Sequence, residues 1–109
     1  MEYASVFHIE QGIKYLRGIK DDDGNGNGNC TVGPGPGNCT RVSCSYNSGI
    51  WFCNDNPTEP ATVPCRSLGD LAWDILVKCY DYADTPHDSV HGQNFDPGNW
   101  NVIVQGTRC

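Results

Sequence analysis

Seven cysteines stand in this chain, at positions 30, 39, 44, 53, 65, 79 and 109. Thiols at such density do one of two things: they hold a metal, or they cross-link. Zinc sites favour ligands two to four residues apart. No C-x-x-C pair occurs, and the closest gaps are Cys39–Cys44 and Cys44–Cys53. Cross-linking is therefore the expected chemistry, and it persists in oxidising compartments. Three bridges leave one thiol over. The expected set is Cys39, Cys44, Cys53, Cys79 and Cys109, with Cys30 or Cys65 as the sixth and the other left free. A dimer linked through that leftover thiol is the alternative to the expected monomer.

Other residues could do chemistry. His91, with Glu10 or Glu59 and with Arg41 or Arg66, can be drawn as the two proton-transfer groups and the phosphate-binding cation of a small ribonuclease. Nothing in their spacing demands it, and the expectation is a protein without catalytic residues. His8 reads as a surface or boundary residue on or near a helix stripe, and His87 is the third histidine. Asp21, Asp23, Asn25 and Gly26 match the opening of a calcium loop, in which alternate side chains converge on one ion. The twelfth position, which should supply a bidentate carboxylate, is Val32. No metal or cofactor is expected. Trp51, Trp100, Tyr46 and Tyr80 could form a stacking platform for a sugar or a partner protein. Asn29-Cys30-Thr31 and Asn38-Cys39-Thr40 are glycosylation sequons, compatible with passage through a secretory pathway.

These residues must be positioned by a few short elements. Val6, Ile9, Ile13 and Leu16 recur at helical spacing, so residues 5–18 read as a helix, with Phe7 near the same stripe and Gly12 as a weak point. Residues 21–38 are mostly Asp, Gly, Asn and Pro and read as a mobile loop tethered by Cys30. Residues 40–46 and 49–54 read as a hairpin about Asn47-Ser48, with Cys44 opposite Trp51 and Val42 opposite Cys53. That register puts Val42, Cys44, Tyr46, Trp51 and Cys53 on one face and Ser43, Ser45, Ile50 and Phe52 on the other. Residues 55–66 are broken by prolines. From Ser67 a second helix follows, with Leu68, Leu71, Ala72, Ile75, Leu76 and Cys79 on one stripe. A bridge from Cys79 to Cys44 or Cys53 would pin this helix to the sheet. A short strand around Val90, a turn at Asp96-Pro97-Gly98 and a strand over 100–105 complete the chain, with Cys109 tying down the end. The expected fold is α+β: two helices on one face of a four-stranded antiparallel sheet, in the order α-β-β-α-β-β.

Composition sets the energetic frame. Leu, Ile, Val and Phe supply 21 of 109 residues, at the lean edge for folding on burial alone, so covalent staples would have to supplement the core. One domain, residues 1–109, is expected. The net charge of −6 argues against nucleic acid as a partner, and no apolar run approaches the ~20 residues of a membrane span. No basic or apolar leader precedes the first helix, and Met1 reads as an expression start placed before a mature N-terminus.

The run Arg41-Val42-Ser43-Cys44-Ser45-Tyr46-Asn47-Ser48-Gly49-Ile50-Trp51-Phe52-Cys53-Asn54-Asp55 resembles small cysteine-rich secreted proteins of ascomycete fungi. Gly92-Gln93 and the ending Trp100-Asn101-Val102-Ile103-Val104 with Cys109 extend the likeness over about residues 36–109. Many members of that group are treated as candidate effectors. The resemblance implies a secreted, extracellular, non-enzymatic protein that binds a host protein or cell-surface component. The helix ending at Cys79, Val90, Gly92-Gln93 and the closing strand are also similar to the killer toxins of smut fungi, which are cysteine-rich α/β sandwiches. This implies an antimicrobial as the alternative, although the chain has fewer cysteines and no basic surface. Neither likeness carries a functional residue across.

Overall fold

The structure, a computed structural model, describes residues 2–21, 23–79 and 89–109. Within these, the elements are β1 (Ala4–Ser5), α1 (Val6–Arg17), β2 (Asn29–Val32), β3 (Asn38–Ser45), β4 (Ser48–Asn54), β5 (Ala61–Pro64), α2 (Cys65–Cys79), β6 (Ser89–Val90), β7 (Gly92–Asp96) and β8 (Trp100–Gly106). The main sheet is antiparallel, in the order β3-β4-β8-β7. Both helices pack against it. The α+β class holds. The simple α-β-β-α-β-β order does not, because two small two-stranded sheets, β1-β6 and β2-β5, are added at the periphery.

The core forms where three apolar patterns meet. Ile9, Ile13 and Leu16 of α1 and Leu68, Ala72, Ile75 and Leu76 of α2 lie over Ile50 and Phe52 of β4 and Val102 and Val104 of β8. Ile50 pairs with Val104 and Phe52 with Val102, so each pair presents its side chains to the same face. Phe52 is fully buried and meets Trp100 edge-on, with ring centroids 5.5 Å apart. Trp100 is thus a core residue and not a platform.

The hairpin differs from its expected register. Its turn residues are Tyr46 and Asn47, both at positive φ, one position earlier than expected. Positive φ at both central residues gives the turn whose twist matches paired strands. Cys44 lies opposite Gly49 and Ser43 opposite Ile50, and a bulge at Val42 restores Arg41 to Trp51 and Cys39 to Cys53. Alternation along β4 then decides the disulfides. The helices cover the Ile50/Phe52 face, so Cys44 and Cys53 point away from them.

The expected Cys79 bridge is therefore overturned, because its supposed partners lie across the sheet. The bridges are Cys30–Cys65, Cys39–Cys53 and Cys44–Cys109, and Cys79 is free and exposed at the end of α2. Cys30 and Cys65, either of which was expected to be left over, bind each other. The expected anchoring of Cys109 is present.

That first bridge also explains why residues 21–38 are more than a tethered loop. It lies beside the β2-β5 pair, which buries Val32 and Val63 and joins the Thr31 and Thr62 hydroxyls at 2.8 Å. Beyond β2, the buried Asn54 side chain donates to the carbonyls of Gly33 (3.0 Å) and Glu59 (2.7 Å) and accepts the Asn56 N–H (2.9 Å). One amide thus satisfies backbone groups of two proline-rich segments that have no ladder of their own. The second helix begins at Cys65 and not after Ser67, because β5 runs directly into it and the Cys65 N–H is taken by the Gly28 carbonyl at 2.9 Å.

Candidate functional site

Helix α1 buries Ile9, Gly12, Ile13 and Leu16, and its two flanks border different neighbours. Gln11 and Tyr15 look onto β3, the edge strand of the main sheet. Together with Val42 and Ser43 they line an open groove of about 400 Å³. Large aromatics of the same helix and of the neighbouring hairpin turn are exposed. Phe7 is 63% exposed, Tyr15 60% and Tyr46, on the hairpin turn, 79%. Phe7, Gln11 and Tyr15 follow at i, i+4 and i+8, which places them along one strip of the helix. His8 bridges the strip to the turn: its ring stacks on Tyr46 at 4.5 Å and meets the edge of Phe7 at 5.2 Å. Its Nδ1 is buried with no hydrogen-bond partner among the described residues.

The other flank of α1 faces α2. Glu10, Ile13, Lys14, Arg17, Gly18 and Trp73 line a second groove, of about 500 Å³. Arg17 is held at one end by Asp70, with Nε and Nη2 at 3.0 and 2.9 Å from the same carboxylate oxygen.

The sheet face away from the helices is partly closed by the C-terminus. The Cys44–Cys109 bridge brings residues 107–109 back over β3 and β4. Arg41 donates to the Arg108 carbonyl at 2.8 Å and lies over the Trp51 ring at 5.7 Å. Trp51 is half-buried there, and its indole Nε1 has no partner among the described residues. Farther along the same face, Gln93 donates to Asn101 at 2.8 Å and Asn101 to Asp55 at 2.9 Å.

Of the four expected platform aromatics, then, Tyr46 alone is fully exposed in the described residues. Trp100 is core, Trp51 is covered, and Tyr80 lies outside the described residues. Phe7, Tyr15 and Trp73 take their place. For Tyr15 and Trp73 the signal was present: each falls off the apolar stripe of its amphipathic helix, so burial does not account for it, whereas Phe7 was expected near that stripe.

The residues drawn as a ribonuclease set do not converge. His91 packs against Tyr3, with centroids 4.5 Å apart, next to the β7 edge, whereas Arg41 is on β3 at the opposite edge. Glu10 lies on the helix layer and Glu59 in the loop before β5. Arg66 donates to the Gly26 carbonyl at 2.8 Å. His87 lies outside the described residues.

The calcium-like segment is organised by itself. The Asp21 carboxylate accepts the N–H groups of Asp23 and Asn25, both at 2.9 Å, which is a carboxylate-capped turn. No metal-holding cluster occurs among the described residues. Both sequon asparagines are exposed, although Asn38 already donates through Nδ2 to the Pro34 carbonyl at 3.1 Å. No helix among the described residues is long and apolar enough to cross a membrane. No family model, curated protein or solved structure matches the chain.

Proposed function

We propose that this is a secreted, non-enzymatic, effector-like protein that acts at the host–fungus interface by binding a host protein or cell-surface component. The observation that carries this reading is the aromatic strip Phe7–Tyr15 with Tyr46, exposed beside an edge strand. Large aromatics left in water next to a groove are unusual for a stable monomer and common at binding hot spots. The edge of β3 adds backbone groups that an extended partner segment can pair with, and the bulge at Val42 limits how far such pairing runs. The three bridges support an extracellular life, because oxidising conditions preserve them and cross-links slow proteolysis by restraining local opening.

The test is infiltration of the purified oxidised protein into leaves. Cell death or altered immune signalling is expected from the native chain. The Phe7→Ala/Tyr46→Ala double variant should need at least about tenfold more protein for the same response, since each hot-spot aromatic carries ~2 kcal/mol or more. Its circular dichroism should be unchanged, because both side chains are exposed. Silence across a panel of host and non-host leaves, or equal potency of the variant, contradicts the proposal.

The two-layer arrangement of helices on one antiparallel sheet favours a second reading, a killer-toxin-like antimicrobial. That reading predicts inhibition of competing fungi that added calcium relieves.

A further inference from the structure

The groove between α1 and α2 has a chemistry distinct from the aromatic strip. Its apolar surface is the indole of Trp73, 43% exposed. Around it stand one carboxylate, Glu10, one ammonium, Lys14, and the guanidinium of Arg17. Among the described residues, Glu10 and Lys14 form no ion pair and Trp73 no ring contact. Arg17 is neutralised by Asp70, so the rim carries one unmatched negative and one unmatched positive group and no net charge. It offers hydrogen-bond donors and acceptors in comparable number.

The groove is also built from a close helix crossing. A Cβ added at Gly69 of α2 would stand 3.1 Å from Arg17 Cγ and 3.3 Å from the Ile13 carbonyl oxygen. Glycine at this point lets the helices approach, and the approach fixes Trp73 against the Glu10–Arg17 flank. With about 500 Å³, the space is in the range of small-molecule sites, ~300–1,000 Å³.

These features select among ligand classes by charge. A simple cation meets the unmatched Lys14. A phosphate or polyanion meets the unmatched Glu10 and a chain of net charge −6. A lipid surface would have to desolvate all four charged groups. What remains is a neutral ligand with an apolar face and a polar perimeter. A pyranose ring has this form: its C–H face can lie on an indole while its hydroxyls accept from Lys14 and Arg17 and donate to Glu10. The geometry points to a neutral saccharide as the ligand of this groove, stacked on Trp73.

This inference is independent of the host-protein reading, since the two surfaces lie on opposite flanks of α1. It is tested by titrating the oxidised, isotope-labelled protein with four neutral oligosaccharides (chitotetraose, laminaritetraose, cellotetraose and xylotetraose) and with the anionic tetragalacturonate. Amide and indole resonances are followed by NMR. At least one neutral sugar should bind with shifts centred on Glu10, Lys14, Arg17, Gly18 and Trp73. Trp73→Ala should weaken that binding about tenfold and Trp73→Phe less, the loss of one stacking contact. The Phe7→Ala/Tyr46→Ala variant should bind the sugar like the native chain. An unchanged melting temperature shows that a variant is folded. The inference is overturned if no neutral sugar shifts this groove at tens of millimolar, if tetragalacturonate alone binds, or if folded Trp73→Ala binds as well as the native chain.

Discussion

Removing the Cys44–Cys109 bridge, by Cys44→Ser combined with Cys109→Ser, is expected to lower the unfolding free energy by about 4 kcal/mol. The two cysteines are 65 positions apart, the largest loop closed by any of the three bridges, and the chain-entropy loss scales with the logarithm of loop length. Replacing both cysteines keeps a new thiol from pairing with Cys79. The bridge also positions residues 107–109, so its loss frees the Arg108 carbonyl from Arg41 and uncovers Trp51. Small domains hold a net ~5–15 kcal/mol, so a change of this size is a large share of the whole. Equilibrium denaturation followed by circular dichroism should show the shift, and tryptophan fluorescence should report the exposed indole. The Cys39–Cys53 bridge closes a separation of 14, and its removal should have the smaller effect, about 3 kcal/mol. A loss below 1 kcal/mol on removing Cys44–Cys109 would show that the core suffices without it.

The second large effect is expected at Gly12. By helix propensity alone, Gly12→Ala should stabilise α1 by up to ~1 kcal/mol. Packing reverses the sign. Gly12 is buried, and a Cβ there would stand 2.6 Å from Ser43 Oγ and 3.0 Å from Ile50 Cδ1. The added methyl must displace both, or lift α1 off β3 and β4. Overpacking of this kind costs ~1–3 kcal/mol, so a net destabilisation of about 1–2 kcal/mol is expected. A lower midpoint in a denaturant melt, with an unchanged slope, would register it. A stabilised variant would mean that the helix does not rest on the sheet at this residue.

Gly12 also shows what periodicity conveys and what it leaves out. The spacing of Val6, Ile9, Ile13 and Leu16 is enough to place α1 within a residue or two, and the spacing from Leu68 to Leu76 does the same for most of α2. Neither says which sheet face they cover. That depends on which of two apolar alternations in the hairpin is matched by a neighbouring strand. Val102 and Val104 match Ile50 and Phe52, a pairing between residues some fifty positions apart. The cysteine connectivity follows from that choice, which is why the expected Cys79 bridge failed while the anchoring of Cys109 held. The turn at Tyr46-Asn47 was obscured for a local reason. Tyrosine rarely takes positive φ, so composition favours a later turn, and the bulge at Val42 is what reconciles the earlier one with the Cys39–Cys53 pairing. In the two grooves, Tyr46 could be singled out from its type alone. Phe7 looked like part of the α1 stripe and is exposed because the stripe's buried arc centres on Ile9 and Leu16, on the opposite side of the helix. Trp73 needed both helices in place before its neighbours Glu10 and Lys14 could be seen.

The covalent framework is the claim on which the exposed surfaces depend, since it is what lets so lean a core hold them in place. It is tested most directly by alkylating the native oxidised protein with iodoacetamide, digesting it without reduction and mapping the peptides by mass spectrometry. One alkylated cysteine, Cys79, is expected, with linked peptides joining Cys30 to Cys65, Cys39 to Cys53 and Cys44 to Cys109. A linked peptide containing Cys79, or seven alkylated thiols in a chain that still melts cooperatively, would contradict it.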